Sequence, residues 1–557
     1  MKTISGRTSM HILCPSKASL YSTLRHLGSN SLDFIVLVSG AMKPEPAASS
    51  TPCLEECVRV LRDGGLLFVQ GCPEYLPEIG VLLDGKLKFK YWIAVESTPR
   101  AKRTGLPTVH AAVLLFSKGN GRFNVGRARF PHQTCGFCAK SLRDWGGKSH
   151  LMNPEGHALS DVWMELPAAD NYTQISAGAL GMIMRMLDFR ESSDDSGPRG
   201  LVGPIEGVEH WSPPKGKQYP HIECRKRPVS EHVNDVPSAL RNVVHCGDAL
   251  EVLKLYPDSS VDLVFADPPY NLNKAYSTYD DGEANSKYVG WCNEWLAEYA
   301  RILKPTGSLY VLNLPRWSMY HAAFLNDRLY FQNWIVWNAL SEPRGKLMPA
   351  HYGLLFYTKH PSVFTFNYSE LGSLDSRDYC LRAACIRKRK LAGNDAREPL
   401  TDFWWDVHRI KHPRDRDYHP CQLPDALMER IIRLSSNPGD VVLDALCGTG
   451  TTPVVAAKLG RHYVGIDLDE AYVNITKEKL DCVQRNGSVQ RTSIQRPRQD
   501  YSKRELQLQL RSLASKLGRL PTPDDVSNMT QYSPEVFLAV FPTWGKALKA
   551  AKLEAWE

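Results

Sequence analysis

Residues 440–467 read DVVLDALCGTGTTPVVAAKLGRHYVGID. An apolar run of strand length (DVVLDAL) leads into a glycine-bearing turn, Cys447-Gly448-Thr449-Gly450. A stretch of helical length, TTPVVAAKLG, follows, and then a second apolar strand that ends in Gly465-Ile466-Asp467. Strand, turn, helix and strand in that order predict a doubly wound α/β sheet. Glycines in the turn let backbone close on a ligand at the N-terminus of the helix. Asp467 lies 17 residues beyond Gly450, about where an acidic side chain would hold ribose hydroxyls. The sequence has no GxxxxGK[ST] phosphate loop, which argues against a nucleoside triphosphatase.

The same alternation extends backwards from this stretch. VDLVFA (261–266), SLYVLN (308–313), FQNWIVW (331–337) and GLLFYT (353–358) read as buried strands. DALEVLKLY, VGWCNEWLAEYARIL, PDALMERIIRLS and EAYVNITKEKLDCVQ read as helices. Asp267-Pro268-Pro269-Tyr270 follows VDLVFA, at the carboxyl end of a strand, where such sheets bind ligands. This tetrapeptide suits methylation of an exocyclic amine. The amino nitrogen of adenine or cytosine is a poor nucleophile, because its lone pair is delocalised into the ring. A carboxylate accepts one of its N–H bonds. A carbonyl aimed by the fixed φ of proline accepts the other. Tyr270 offers a ring on which a flipped base stacks.

DPPY together with DxxCGTGTT resembles the S-adenosylmethionine-dependent amino-methyltransferases of DNA. The order, with DPPY first and the glycine turn about 180 residues later, resembles their circularly permuted beta class. Two further pieces fit. His419-Pro420-Cys421-Gln422-Leu423-Pro424 resembles that class's HPTQKP segment, with Leu423 in place of the usual Lys. Gly247-Asp248 resembles its usual entry into the DPPY strand. The resemblance covers roughly 240–483. It implies that Asp267, Pro268, Pro269 and Tyr270 receive the target base. It further implies that Asp248, His419, Gln422, Asp444, Cys447, Gly448, Gly450, Thr451, Thr452 and Asp467 surround S-adenosylmethionine, with Asn271 only capping the turn. DPPY favours N6 of adenine, since many N4-cytosine enzymes carry Ser where Asp267 stands. N4-cytosine methylation is the alternative. Methylation of RNA or of a protein glutamine, and a catalytically silent DNA-binding protein of the same fold, are further readings. By the resemblance, the partner is double-stranded DNA in a prokaryotic or phage cytoplasm.

The first part of the chain reads as a second copy. Leu32–Val36 aligns with Val261–Phe265, and CVRVLRDGGLLFV (57–69) with YARILKPTGSLYV (299–311). Tyr91-Trp92-Ile93 aligns with Asn333-Trp334-Ile335, His110 with His351, and Ser160–Trp163 with Thr401–Trp404. Five matches in one order predict a duplication. Val38-Ser39-Gly40-Ala41 replaces DPPY and no glycine-rich turn follows, so the first copy is expected to be degenerate. The expected organisation is a degenerate methyltransferase-like domain (1–189), a linker (190–238), a catalytic domain (239–483, with target recognition about 360–418), a linker (484–502) and a helical module (503–557). The protein is then an internal pseudo-dimer, monomeric or homodimeric as a particle. The helical module resembles the repeat found beside homing endonucleases. Leu513, Leu517, Phe537, Phe541, Trp544 and Leu548 are its predicted core, and DNA contact is its implied role.

Composition agrees with this outline. The 557 residues predict three or four domains at ~150 residues each. The net charge of +8 is compatible with a polyanionic partner. No apolar run approaches the ~18 residues of a membrane span, and residues 1–20 lack the apolar core of an export signal. Fourteen cysteines are too sparse for a disulfide scaffold and read as reduced thiols. Cys135-Gly-Phe-Cys138 has half-site spacing for a structural zinc, and Cys380 with Cys385 would supply the other half across the pseudo-dimer. His132, His150 and His157 are other candidate ligands. The basic run Arg387–Lys390 reads either as a phosphate contact or as a solvated face. Trp404 and Trp405 read as core, with wedging or stacking on bases as the alternative.

Overall fold

The computed structural model describes residues 2–4, 10–13, 17–38, 47–100, 105–121, 123–125, 128–142, 153–164, 166, 175–187, 199–203, 233–271, 284–339, 347, 350–380, 382–394, 397–410, 422–486, 503–541 and 543–553. In chain order the strands of the first half are β1 (Lys2–Ile4), β2 (Met10–Leu13), β3 (Leu32–Val38), β4 (Leu61–Gly71), β5 (Lys88–Arg100), β6 (Thr108–Ser117), β7 (Arg129–Phe130), β8 (His157–Ala158), β9 (Val162–Trp163) and β10 (Arg199–Gly203). Those of the second half are β11 (Val243–Cys246), β12 (Val261–Ala266), β13 (Leu303–Asn313), β14 (Tyr330–Trp337), β15 (Tyr352–Thr358), β16 (Ser373–Asp375), β17 (Arg397–Pro399), β18 (Phe403–Trp404), β19 (Val441–Asp444) and β20 (His462–Asp467).

Sixteen of them build two eight-stranded sheets, ordered β1-β2-β10-β3-β4-β6-β5-β9 and β11-β20-β19-β12-β13-β15-β14-β18, while β7 with β8 and β16 with β17 form two-stranded sheets. From β3 and β12 outward the sheets repeat one plan. β3–β4 and β12–β13 pair parallel, β4–β6 and β13–β15 antiparallel, β5–β6 and β14–β15 antiparallel, and β5–β9 and β14–β18 parallel. β10 lies beside β3 as β19 lies beside β12. The sheets diverge at the other edge. β20 stands between β19 and β11, whereas β10 meets β2 directly and β1 closes that edge antiparallel.

Side-chain contacts repeat as well. Arg59 bonds Glu56 and the carbonyls of Leu24 and Leu27; Arg301 bonds Glu298 and the carbonyls of Leu253 and Tyr256. Asp33 accepts from Arg199 N at 2.7 Å, and Asp262 accepts from Val441 N at 2.9 Å. Trp163 Nε1 donates to Ser160 O at 2.8 Å, and Trp404 Nε1 to Thr401 O at 2.9 Å.

The halves share one apolar core, which runs from Leu24 through Trp334 to Ile466. Trp92 and Trp334 stack across the junction with centroids 3.8 Å apart and planes 9° apart. Val109 N donates to Asp402 Oδ1 at 2.8 Å, and Ala350 N donates to Asp161 Oδ1 at 2.7 Å, so each half's buried aspartate takes an amide of the other. Helices Leu76–Asp84 and Pro315–Asn326 also meet there, with Asp84 held by Arg316 at 3.0 Å and by the Tyr320 hydroxyl at 2.8 Å. Gly80 makes this approach possible: a Cβ there would lie 2.0 Å from Met319 Sδ.

One expectation needs correction. Residues 190–238, read as a linker, contain β10, which is the third strand of the first sheet. Its five residues, Arg-Gly-Leu-Val-Gly, are too short to show a period against the Ser- and Pro-rich flanks. In the run Arg387–Lys390, Arg387, Lys388 and Lys390 are exposed, while Arg389 is 1% exposed.

The C-terminal module is four helices, Lys503–Leu517, Pro523–Met529, Pro534–Val540 and Trp544–Ala550. Its core includes Leu506, Leu510, Leu513, Phe537 and Phe541, with Leu517, Trp544 and Leu548 packed against it. Thr522 opens the second helix with a capping box to Asp525, and Arg519 holds that carboxylate at 2.7 Å. Among the described residues no helix is long and apolar enough to cross a membrane.

Candidate active site

Two strand ends meet at one cavity of about 190 Å³. β12 delivers Asp267, Pro268, Pro269 and Tyr270 to its wall. β19 and the turn after it deliver Asp444, Cys447, Gly448, Thr451 and Thr452, and β20 delivers Asp467. Asp248 and Gln422 line the same cavity. β12 and β19 are hydrogen-bonded neighbours in parallel register. Residues some 180 apart in sequence therefore open at the same end of the sheet. His419 lies outside the described residues.

The glycine turn has a specific geometry. Gly450 begins the helix Thr451–Lys458 with φ +80°, and a Cβ there would meet Thr476 Cγ2 at 2.3 Å. Gly448 has φ +51° and donates its N–H to Asp467 Oδ2 at 2.8 Å. The combination of φ and close packing at Gly450 suits only glycine without strain. Lys479 Nζ caps Thr449 O at 2.7 Å, so the helix Glu470–Asn486 braces the turn from behind.

The carboxylates differ in duty. Asp444 is 3% exposed; Oδ2 accepts from Thr452 Oγ1 at 2.5 Å and Oδ1 from Leu446 N at 3.0 Å. Burial pushes its carboxyl up to about 7, partly opposed by those two donors. Burial likewise raises Asp467, against the N–H groups of Asp469 and Gly448. Asp248 caps its own helix, with Oδ1 accepting from Leu250 N at 2.9 Å and Glu251 N at 3.2 Å. Cys447 is a buried thiol whose pKa burial raises.

The DPPY turn is held from outside the cavity. Tyr288 donates its hydroxyl to Pro269 O at 2.6 Å, and Trp317 Nε1 donates to Tyr270 O at 2.9 Å. Tyr288 in turn takes an N–H from Asn313 at 2.9 Å. Tyr270 is 3% exposed, and its hydroxyl donates to Asp267 Oδ1 at 2.8 Å. Its ring lies 5.4 Å from Tyr352, which stacks on Trp337. Asn271 takes a left-handed φ of 52°, which turns the chain away after the motif.

Phe265, Trp291, Leu468 and Tyr472 also line the cavity and escaped the sequence reading. Trp291 sits in the helix Asn285–Ile302, where its spacing reads as ordinary amphipathic pattern. Leu468 and Tyr472 follow the Asp467 signal by one and five residues, the only hint available.

The other candidates are placed as follows. Cys135, Cys138, Cys380 and Cys385 come together, with all four Sγ atoms within 4.8 Å of one another. His132 and His157 instead bond the carbonyls of Asn153 and Ala158, and His150 is outside the described residues. Trp404 is fully buried, as read, and Trp405 donates its Nε1 to Glu398 Oε1 at 3.0 Å.

Residues 261–478 match the family model described as "DNA methylase", and residues 501–554 match "Homing endonuclease associated repeat". Type II methyltransferase M.BamHI of Bacillus amyloliquefaciens is 38% identical over 240 residues, 42% of this chain and 56% of its own. Type II methyltransferase M.HpaI of Haemophilus parainfluenzae is 37% identical over 242 residues, 42% of this chain and 73% of its own. DNA adenine methyltransferase YhdJ of Escherichia coli (strain K12) is 32% identical over 247 residues, 43% of this chain and 83% of its own. Among solved structures, the PvuII DNA methyltransferase (cytosine-N4-specific) matches 43% of this chain and 86% of its own at 17% identity, with a TM-score of 0.34.

Proposed function

The chain belongs to the DNA methylase family, and on that premise we propose that it transfers a methyl group from S-adenosylmethionine to N6 of adenine in a specific duplex DNA sequence. One observation carries this reading: the DPPY turn and the glycine turn, far apart in sequence, line a single cavity at adjacent strand ends.

The chain's own groups fit the cofactor. Gly450 lets the turn close against Thr476 of the bracing helix, where a Cβ would clash, and it starts a helix whose N–H groups suit a carboxylate. Thr451 stands at that helix start beside the cavity. Asp467 and Asp248 each keep acceptor capacity beyond their backbone bonds, since every carboxylate oxygen has two lone pairs. Phe265 and Leu468 supply apolar wall for a ring. Bound there, S-adenosylmethionine supplies the electrophilic methyl.

Asp267 and Pro268 then act on the target amine. The Pro268 carbonyl accepts no hydrogen bond from any described residue, whereas the Pro269 carbonyl is taken by Tyr288. Pro268 O therefore accepts one N–H of the amine and Asp267 the other. Both bonds draw the nitrogen out of conjugation and leave its lone pair facing the glycine turn. After transfer the nitrogen carries an extra proton, which Asp267 accepts and passes to water. Tyr270 and Tyr352 offer stacking surface for a base rotated out of the duplex. This direct displacement needs no metal at the reacting atoms.

The name of the Escherichia coli relative, a DNA adenine methyltransferase, supports adenine over N4 of cytosine. The repeated sheet plan and the repeated Arg59/Arg301 contacts support reading the first half as a degenerate second copy, joined to the catalytic one as an internal pseudo-dimer. The C-terminal helices then add a DNA contact. Transfer of labelled methyl from S-adenosylmethionine to duplex DNA tests the proposal. The wild-type chain is expected to label DNA and Asp267→Asn to lose nearly all label while still binding S-adenosylmethionine. Equal labelling by both would overturn it.

A further inference from the structure

Four cysteines from opposite halves converge at the junction. Cys135 and Cys138 come from the segment between β6 and β9, and Cys380 and Cys385 from the corresponding segment between β15 and β18. Cys135 Sγ lies 3.8 Å from Cys385 Sγ, and Cys138 Sγ lies 3.7 Å from Cys380 Sγ. All four sulfurs fall within 4.8 Å. A tetrahedron with Zn–S bonds of about 2.3 Å has S···S edges of about 3.8 Å. The separations are far too long for S–S bonds, which need about 2.05 Å. Cys135, Cys380 and Cys385 are buried and Cys138 is half-buried. The four make a closed ligand set with no place left for water, as in structural zinc sites.

The surroundings suit a negative centre. The backbone N–H groups of Cys138 and Phe137 face Cys135 Sγ, and the Arg382 backbone and guanidinium face Cys380 Sγ. Arg389 stands one helical turn beyond Cys385 on the helix Ala383–Leu391. It is 1% exposed, lies 4.5 Å over the Tyr379 ring, and its Nε and Nη1 have no hydrogen-bond partner among the described residues. A buried guanidinium without a carboxylate is costly unless a negative charge lies near it. Four thiolates around one divalent zinc carry a net charge of about −2, which answers the positive charge of Arg389 and Arg382.

The turn that carries Cys135 and Cys138 is built for a fixed position. Ala139 takes φ +53° and donates to Cys135 O at 2.9 Å, while Cys135 N donates to Lys140 O at 2.7 Å. Gly136 N donates to Asp378 O at 2.9 Å, and Arg377 pairs with Glu96 at 2.5 Å, so the two segments already touch.

We propose that Cys135, Cys138, Cys380 and Cys385 bind one structural zinc ion that pins the two halves together at the expected target-recognition segment. Binding displaces four thiol protons to solvent and changes no oxidation state. None of the four cysteines lines the DPPY cavity, so the ion's role is to position the segment 360–418 and not to take part in methyl transfer.

Metal analysis of the full chain, purified without chelator and dialysed against metal-free buffer, tests this. About one zinc per chain is expected. Cys380→Ser is expected to leave less than about a tenth of that. Cys482→Ser, on the helix Glu470–Asn486 away from the cluster, keeps the full amount. Should Cys380→Ser fail to fold, cobalt replacing zinc in the wild-type chain decides. Thiolate-to-cobalt charge transfer with tetrahedral d–d bands supports the site; their absence overturns it. Wild-type protein without zinc, whether its four thiols react freely or mass analysis shows them joined in disulfides, also overturns it.

Discussion

Trp334 lies flat on Trp92, 3.8 Å away and 9° from parallel, and its carbonyl accepts from His110 Nδ1 at 2.9 Å. His110 in turn takes the Trp92 indole N–H on Nε2 at 3.3 Å, which fixes the neutral tautomer. Burial pushes the His110 imidazole down to about 3, in keeping with a ring that stays uncharged. The first half therefore meets the second through a buried, packed junction and not through a tether.

Trp334→Ala removes the stack and leaves a large cavity there. Such truncations cost about 3–5 kcal/mol. Urea unfolding should show that loss, in a transition that includes both halves, since one apolar core spans them. Separate transitions with the second half unaffected would contradict the shared core.

The aspartate exchange makes a second check on the junction. Asp402→Ala strands Val109 N and removes an Asn333 contact, both buried. An unmet buried donor costs about 1–3 kcal/mol. Asp402→Asn keeps an oxygen for Val109 N and should recover most of the loss in the same unfolding experiment.

Gly450→Ala tests the cofactor cradle. The new methyl group meets Thr476 at 2.3 Å in a backbone conformation of φ +80°. Strain of about 1–3 kcal/mol is expected, and calorimetric affinity for S-adenosylmethionine should fall about tenfold or more. Unchanged affinity would place the cofactor elsewhere.

Asp444 gives a pH signature. Its carboxyl is raised from 3.8 to about 7 by burial. Between those values the folded chain holds a proton that the unfolded chain has released. This group's contribution to stability therefore falls as pH rises through that window and is level above it. Asp444→Asn has no such proton. Its urea midpoint should gain on wild type from the acidic end to neutrality. Parallel profiles would contradict the buried-acid reading.

Much of this was readable in the chain because strand ends with special residues announce themselves. DPPY and the turn Cys447–Gly450 each break an apolar strand, and the sheet brings them together. The four cysteines were readable as two half-sites, one in each half, although their meeting depended on how the halves dock. Trp291 and Tyr472 were not readable, because helical spacing shows which face is apolar but not which residue overhangs a neighbouring strand end. β10 was hidden by its brevity. Arg389 was hidden by its neighbours: three exposed bases around it mask the one that folds inward.

Asp267 is proposed to support methylation of a DNA amine. Long-read modification sequencing of DNA from cells expressing the chain, beside Asp267→Ala, tests it most directly. N6-methyladenine is expected at one sequence motif, absent with Asp267→Ala. Unmodified DNA in both samples, from folded protein that binds S-adenosylmethionine, would contradict it.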